Sequence, residues 1–225
     1  MELNDMGLIQ KVKHNMKVVL WTGGVTLLFL MMLITGSTIV DNEAALGSGS
    51  GSGDFSADEY VEASWESEVL PFMDEQKNEL TDVLQQFSES DLETVGEEIG
   101  LTDGRNWHFI VTGKAEVLTI DTESRKGNSE LDIEPYDGTA DVVLQLGPVV
   151  DGYAIRDVLT YIKFDDFSNQ IEWSQLAAGY NTKTYETNLE GLELEEGAEI
   201  SLTGVLTVND TSKTLTPVLI EEGGN

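Results

Sequence analysis

Two histidines, three arginines and 42 carboxylates are the residues with which this 225-residue chain could do chemistry. His14 lies in a short basic N-terminal stretch, which leaves His108 alone in the rest of the chain. It belongs to the alternating run Trp107-His-Phe-Ile-Val111, on the face opposite Trp107 and Phe109. A single strand histidine reads first as a hydrogen-bonded structural residue and only second as a general base. No Gly-x-Ser-x-Gly elbow, His-Glu-x-x-His helix or phosphate-cradling glycine loop accompanies it. Paired carboxylates facing across a cleft would suit glycoside hydrolysis, but among so many acids chance pairs abound. Asp132, Glu134, Asp137 and Asp141 gather oxygen donors around Gly138, a composition that suits calcium, although the spacing is not that of an EF-hand loop. The same residues also read as a β-hairpin with an Asp-Gly turn and solvated acids.

The arginines are scarcer and hence more informative. Arg156 beside Asp157 suits a locking ion pair. Alternatively Arg125, Arg156, Asn169 and Gln170 would grip a polar ligand, with Trp107 or Trp173 as a stacking face for a sugar ring. Asn169 also has the position of a helix cap. Asn209-Asp-Thr211 is a glycosylation sequon in an expected surface turn.

The elements that must position these residues follow from charge and hydropathy patterning. Twelve basic residues against 42 acidic ones give a net charge of −30, which repels phosphate backbones and argues against nucleic-acid partners. Cysteine is absent, excluding disulfides, thiolate metal sites, a cysteine nucleophile and a cysteine-borne lipid. Residues 18 to 40 carry no charge, and at the helical rise they span about 34 Å, enough to cross a bilayer core. Lys11, Lys13 and Lys17 precede the run, while Asp41 and Glu43 follow it. The positive-inside bias therefore predicts a cytoplasmic tail over 1–17, a membrane anchor over 18–40 and an extracytoplasmic remainder. A Gly/Ser tether closes the linker 41–53, and residues 54–225 form the exported domain. From residue 41 onward 40 acids face 9 bases, a net of −31, which suits a salty exterior such as a halophile's.

Within the domain, Ser56 and Glu59 have capping-box spacing, with Phe55 placed to staple the first turn. A second helix is expected from Pro71, with Met73, Leu80, Val83, Leu84 and Phe87 on one face. Ser90 to Glu93 repeats the capping signal, and Gly100 ends a third helix. Period-two runs predict strands at Trp107–Val111, Val117–Ile120, Leu131–Glu134, Val142–Leu146, Ile200–Val208 and Leu215–Ile220, with Pro217 marking an edge. Gln170 to Leu189 reads as a helix burying Ile171, Leu176, Tyr180 and Leu189. The expected class is α+β, a small curled sheet or barrel with N-terminal helices and one inserted helix.

From Phe55 onward the chain resembles a family of predicted bacterial periplasmic lipoproteins. The resemblance rests on Tyr60-Val with Trp65 and Leu70-Pro71, on Asn106-Trp-His-Phe-Ile-Val-Thr-Gly113 and on Ser124-Arg-Lys-Gly127. It continues through Leu144-Gln-Leu-Gly-Pro-Val149, Ile155-Arg-Asp157, Phe164 to Phe167, Asn169-Gln-Ile-Glu-Trp173 and Thr216-Pro-Val218. It implies an OB-like barrel with added helices and a non-catalytic accessory or binding role beside sugar ABC transporters, with a sugar or a transporter component as partner. A carbohydrate-active hydrolase and a purely structural envelope protein are the alternatives. The family pattern ends its lipobox in Gly-Cys, whereas this chain has Leu33-Ile-Thr-Gly-Ser37. The Ser37 hydroxyl cannot take a thioether-linked lipid, so anchoring falls to the apolar helix itself. A replaced cysteine would leave the same trace.

Overall fold

A computed structural model describes residues 55–121 and 123–222, all within one compact unit, Gly51–Asn225. The expected tail, membrane anchor, Ser37 and the whole linker 41–53 lie outside the described residues. Among the described residues, no helix is long and apolar enough to cross a membrane.

Ser56 caps the first helix, α1 (Ala57–Ser64), its hydroxyl accepting from the Glu59 amide. The Phe55 ring stands 6.2 Å from that of Tyr60, the staple contact expected at this entry. The chain then runs through a widened π turn, Trp65–Val69, into α2 (Leu70–Gln76). Pro71 stands in the first turn of α2, as expected, although the π turn joins that helix to α1 without a break. The helix expected to run on to Phe87 breaks after Gln76. Asn78–Glu79 forms a two-residue strand, β1, and α3 (Leu80–Glu89) follows. The apolar positions read as one face serve two separate cores. Met73 packs with Val61 and Trp65, whereas Leu80 and Val83 join the barrel interior. In α4 (Leu92–Ile99) the cap is Asp91, one residue later than the Ser90 signal, and Gly100 ends the helix as expected.

After the short β2 (Leu101–Thr102), the two strands expected from Trp107 are one, β3 (Trp107–Asp121). Its length lets it serve two neighbours. Residues Trp107–Glu116 pair antiparallel with β6 (Glu199–Asn209), and Ala115–Asp121 pairs with β4 (Asn128–Ile133). β5 (Val142–Gln145) lies antiparallel to β4 and parallel to β7 (Ser212–Glu222), which returns antiparallel to β6. The order β3-β4-β5-β7-β6 thus closes back on β3, giving a five-stranded barrel of OB topology. Closure removes the edge that Pro217 was expected to mark. Pro217 instead pairs with Gly204 beside a register shift, where a Cβ on Gly204 would come within 2.4 Å of the Thr216 carbonyl oxygen.

The interior is filled by inward residues of every strand, among them Phe109, Val117, Leu131, Leu144, Leu206 and Leu215, none of which is exposed. Between β5 and β6 the chain leaves the barrel to form α5 (Ala154–Val158) and α6 (Gln170–Thr184), the latter extended by a π turn, Tyr185–Leu189. α1, α5 and α6 cover the outer barrel wall, closing a second core around Trp65, Ile110, Ile155, Tyr180 and Val205. Leu176, Tyr180 and Leu189 are buried as expected, but Ile171 is 59% exposed, because in the first turn of α6 it is Glu172 and Trp173 that face inward.

Candidate functional site

One row of paired residues crosses the outer wall of the barrel. Asn128 pairs with Gln145 between β4 and β5, and Val143 with Thr214 between β5 and β7. Thr214 in turn pairs with Thr207, and Thr207 with His108 on β3. Because successive strand residues point to opposite sides, the neighbours Leu144, Leu215, Leu206 and Phe109 fill the barrel while this row faces outward. The first turn of α5, the Asp103–Asn106 loop and the β6–β7 turn wall it in. The resulting cleft holds ≈380 Å³.

Its floor is polar and wired. Gln145 donates to the Thr216 hydroxyl at 2.8 Å and accepts from the Asp151 amide at 2.7 Å, which fixes both the floor and the approach to α5. Asn209 accepts from the Thr211 and Ser212 amides at 3.0 Å, closing the β6–β7 turn, and donates to the Asn106 side chain at 3.2 Å. Tyr153 stands at the rim with 46% exposure.

At one end of the cleft, His108 is buried, with Nδ1 3.0 Å from the Thr207 hydroxyl and Nε2 3.4 Å from an Asp103 oxygen. Nε2 has no hydrogen-bond partner. Partial burial of the Asp103 side chain would raise its pKa. The Asn106 and Arg105 amides, the Asn106 carboxamide and His108 outweigh that, so the carboxyl stays ionised well below the ordinary range. Asp157 on α5 completes a group of three whose donor atoms all lie within 4.8 Å of one another.

Behind Asp157, the buried guanidinium of Arg156 donates through both Nε and Nη2 to the same Asp157 oxygen and through Nη1 to the Trp173 carbonyl at 3.2 Å. It lies 4.8 Å from the Tyr153 ring centroid and 4.4 Å from that of Trp173. The planar cation is held between two aromatic faces, an arrangement lysine could not reproduce.

The residues singled out in the sequence therefore divide. Arg156, Asp157 and Trp173 converge. Trp173 gives one face to Arg156 and packs at 5.3 Å against Phe167 and 6.0 Å against Phe164. Asn169 caps α6, its side chain accepting from the Ile171 and Glu172 amides, and Gln170 is exposed on the first turn. Trp107 points to the other side of β3 and wedges against Gly96 of α4. Arg125 is exposed in the β3–β4 loop, where its carbonyl accepts from the Val149 amide.

The Asp132–Asp141 segment takes the hairpin form. Asp132 accepts from the Gly138 amide at 2.6 Å, Asp137 from Thr139 at 2.8 Å and Asp141 from Ile133 at 2.9 Å, while Glu134 is exposed. These carboxylates brace the turn and do not converge as a calcium shell. Among the described residues, the one convergent group of three is Asp103, His108 and Asp157.

Tyr153, Gln145 and Asp151 were not singled out by residue type. Two of the three flank or lie in the Leu144–Val149 motif, but only barrel closure brings them opposite Thr207 and His108.

The solved structure of an OB-fold protein from Thermotoga maritima superimposes with a TM-score of 0.62 at 17% identity, covering 76% of this chain and all of that one. An OBody, AM1L10, bound to hen egg-white lysozyme gives a TM-score of 0.27 at 12% identity over 58% of this chain and 89% of that one. No curated protein matches the sequence significantly. The first likeness confirms the fold read from the strand order. The family described as predicted periplasmic lipoprotein (DUF2291) matches residues 27–221, nearly the whole chain, and to that family this protein belongs.

Proposed function

We propose that the exported domain is a non-catalytic binding or assembly accessory, tethered to the membrane by the apolar segment 18–40 and working beside an ABC-type sugar uptake system. In this reading the outer cleft receives a neutral polyol. The observation that carries it is the row Asn128, Gln145, Thr214 and Thr207, hydrogen-bonding side chains laid across the wall with the exposed Tyr153 ring at their rim. Amides and hydroxyls match sugar hydroxyls, and an aromatic face matches the apolar side of a sugar ring. The cleft also overlaps the face through which OB barrels commonly bind, the second and third strands and the loop between the last two. With 40 acids against 9 bases from residue 41 onward, an oligonucleotide is a poor occupant.

Asp103 does not supply the acid of the hydrolase alternative: glycoside hydrolysis needs one carboxyl protonated near neutral pH, and this one is held ionised. Composition supports the tether: residues 18–40 carry no charge, and a chain without cysteine has no thioether site for a lipid.

A thermal-shift screen of the full chain in detergent against pentoses and hexoses tests the reading. A ligand of the folded state raises the unfolding temperature by mass action, and Tyr153→Ala should remove the rise; it should also lower the unliganded midpoint by a few degrees, because the ring covers one face of the buried Arg156 guanidinium, a contact worth about 0.5–1 kcal/mol. No shift with any sugar would overturn direct binding and leave a protein partner in its place.

A further inference from the structure

His108 presents a nitrogen that the fold isolates from water and gives no hydrogen-bond partner. A buried imidazole nitrogen without a partner is costly, and this one is aimed at two carboxylates. Its distance to the Asp103 oxygen, 3.4 Å, is long for a charge-assisted hydrogen bond, which runs to about 2.7–2.9 Å. It is the right separation for two ligands of one tetrahedral ion. Bonds of about 2.0–2.1 Å at the tetrahedral angle put neighbouring donors about 3.3–3.4 Å apart.

We propose that Asp103, His108 and Asp157 form a three-ligand site for a zinc-class divalent cation, with the remaining coordination position turned toward the cleft. The supporting shell is present. The Thr207 hydroxyl at His108 Nδ1 orients the ring and leaves Nε2 as the ligand atom. The Arg105 and Asn106 amides both hold one Asp103 oxygen at 2.8 Å, which directs the other at His108. Outer-shell partners of this kind are what fix ligand tautomer and direction in metal sites. Arg156 engages one oxygen of Asp157 and leaves the second free, and it offsets part of the paired negative charge. The donor atoms lie within 4.8 Å of one another, so closing the site takes a shift of at most about 1.5 Å by Asp157. The Asp157 side chain, in the five-residue α5, is 16% exposed, and Arg156 would follow the oxygen it holds.

An imidazole nitrogen among the donors selects zinc or a neighbouring transition ion over calcium and magnesium, which take oxygen ligands. That selectivity separates this site from the acidic surface. The cation site borders the polyol cleft but does not depend on it. Zinc bound without any sugar response leaves the site standing, and a sugar response without zinc leaves only the cleft.

The test is zinc competition against a colorimetric chelator, using the full chain in detergent with calcium and magnesium in large excess. The expected result is one zinc per chain, its affinity lowered about a hundredfold by His108→Gln and about tenfold by Thr207→Val, and unchanged by Asp137→Asn on the exposed turn. Cobalt in place of zinc should give visible ligand-field bands that vanish in His108→Gln. If that variant fails to fold, Asp157→Asn carries the same comparison. Absence of zinc binding overturns the proposal, and so does binding equal in the wild type and the folded ligand variants, which is adventitious carboxylate binding only.

Discussion

At the scale of single residues, the chemistry of this domain is concentrated where buried polar groups need partners. Arg156 is buried against Asp157 and between two rings, and its ion-pair role is the one that sequence reasoning favoured from its adjacency to Asp157. Tyr180 shows what burial does to a neutral group. Its hydroxyl lies 3.3 Å from that of Ser64 with no exposed surface. Burial pushes its pKa up to about 12 from 10.0, against the opposing hydrogen bond from Ser64 and with help from Tyr60 and Glu68. The sign follows from linkage. Below pH 10 the phenol is neutral folded and unfolded and contributes no pH dependence. Between pH 10 and about 12 only the unfolded chain ionises, so stability falls as pH rises through that window. Denaturation midpoints measured across the window should therefore fall less steeply for Tyr180→Phe than for the wild type. Parallel slopes would show that another group controls alkaline unfolding.

At the scale of elements, close approach decides what can be changed. A Cβ on Gly96 would lie 2.3–2.6 Å from three atoms of the Trp107 ring, so α4 docks on β3 only because that position has no side chain. Helix propensity alone favours Gly96→Ala by about 1 kcal/mol, but overpacking costs about 1–3 kcal/mol. The substitution should therefore lower the unfolding temperature. A rise would mean that Trp107 moves freely and is not the wedge described. Sequence reading did well on such local devices. The Ser56 cap, the Phe55 staple, the Asn169 cap and the Gly100 stop each depend on a few adjacent residues. It failed where one run of chain serves two places, as in the break between Met73 and Leu80, which pack in different cores, and in the unbroken β3, which pairs with β4 and β6 along different halves. The site was half legible for the same reason. Arg156 and Asp157 are neighbours in the chain and Asp103 reaches His108 across the local β2–β3 turn, whereas Thr207 and Gln145 meet His108 and the cleft only through barrel register.

At the scale of the whole molecule, a closed OB barrel covered on part of its outside by helices leaves the wall of β4, β5 and β7 open as a cleft, and in the proposed reading the net negative charge restricts what can occupy it. Membership of a family of predicted periplasmic lipoproteins agrees with a domain held outside the membrane. A second hollow of ≈520 Å³, between the β3–β4 loop and the end of α6, offers an apolar lining of Ile120, Leu146 and Leu192, and is the natural competitor for a ligand. Hydrogen–deuterium exchange of the full chain with and without a mixture of pentoses and hexoses separates the two most directly. The polyol reading predicts slowed exchange at residues 143–153 and 207–214, including the Asp151 amide held by Gln145. Protection confined to the 189–194 segment of the other hollow, or no protection at all, would contradict it.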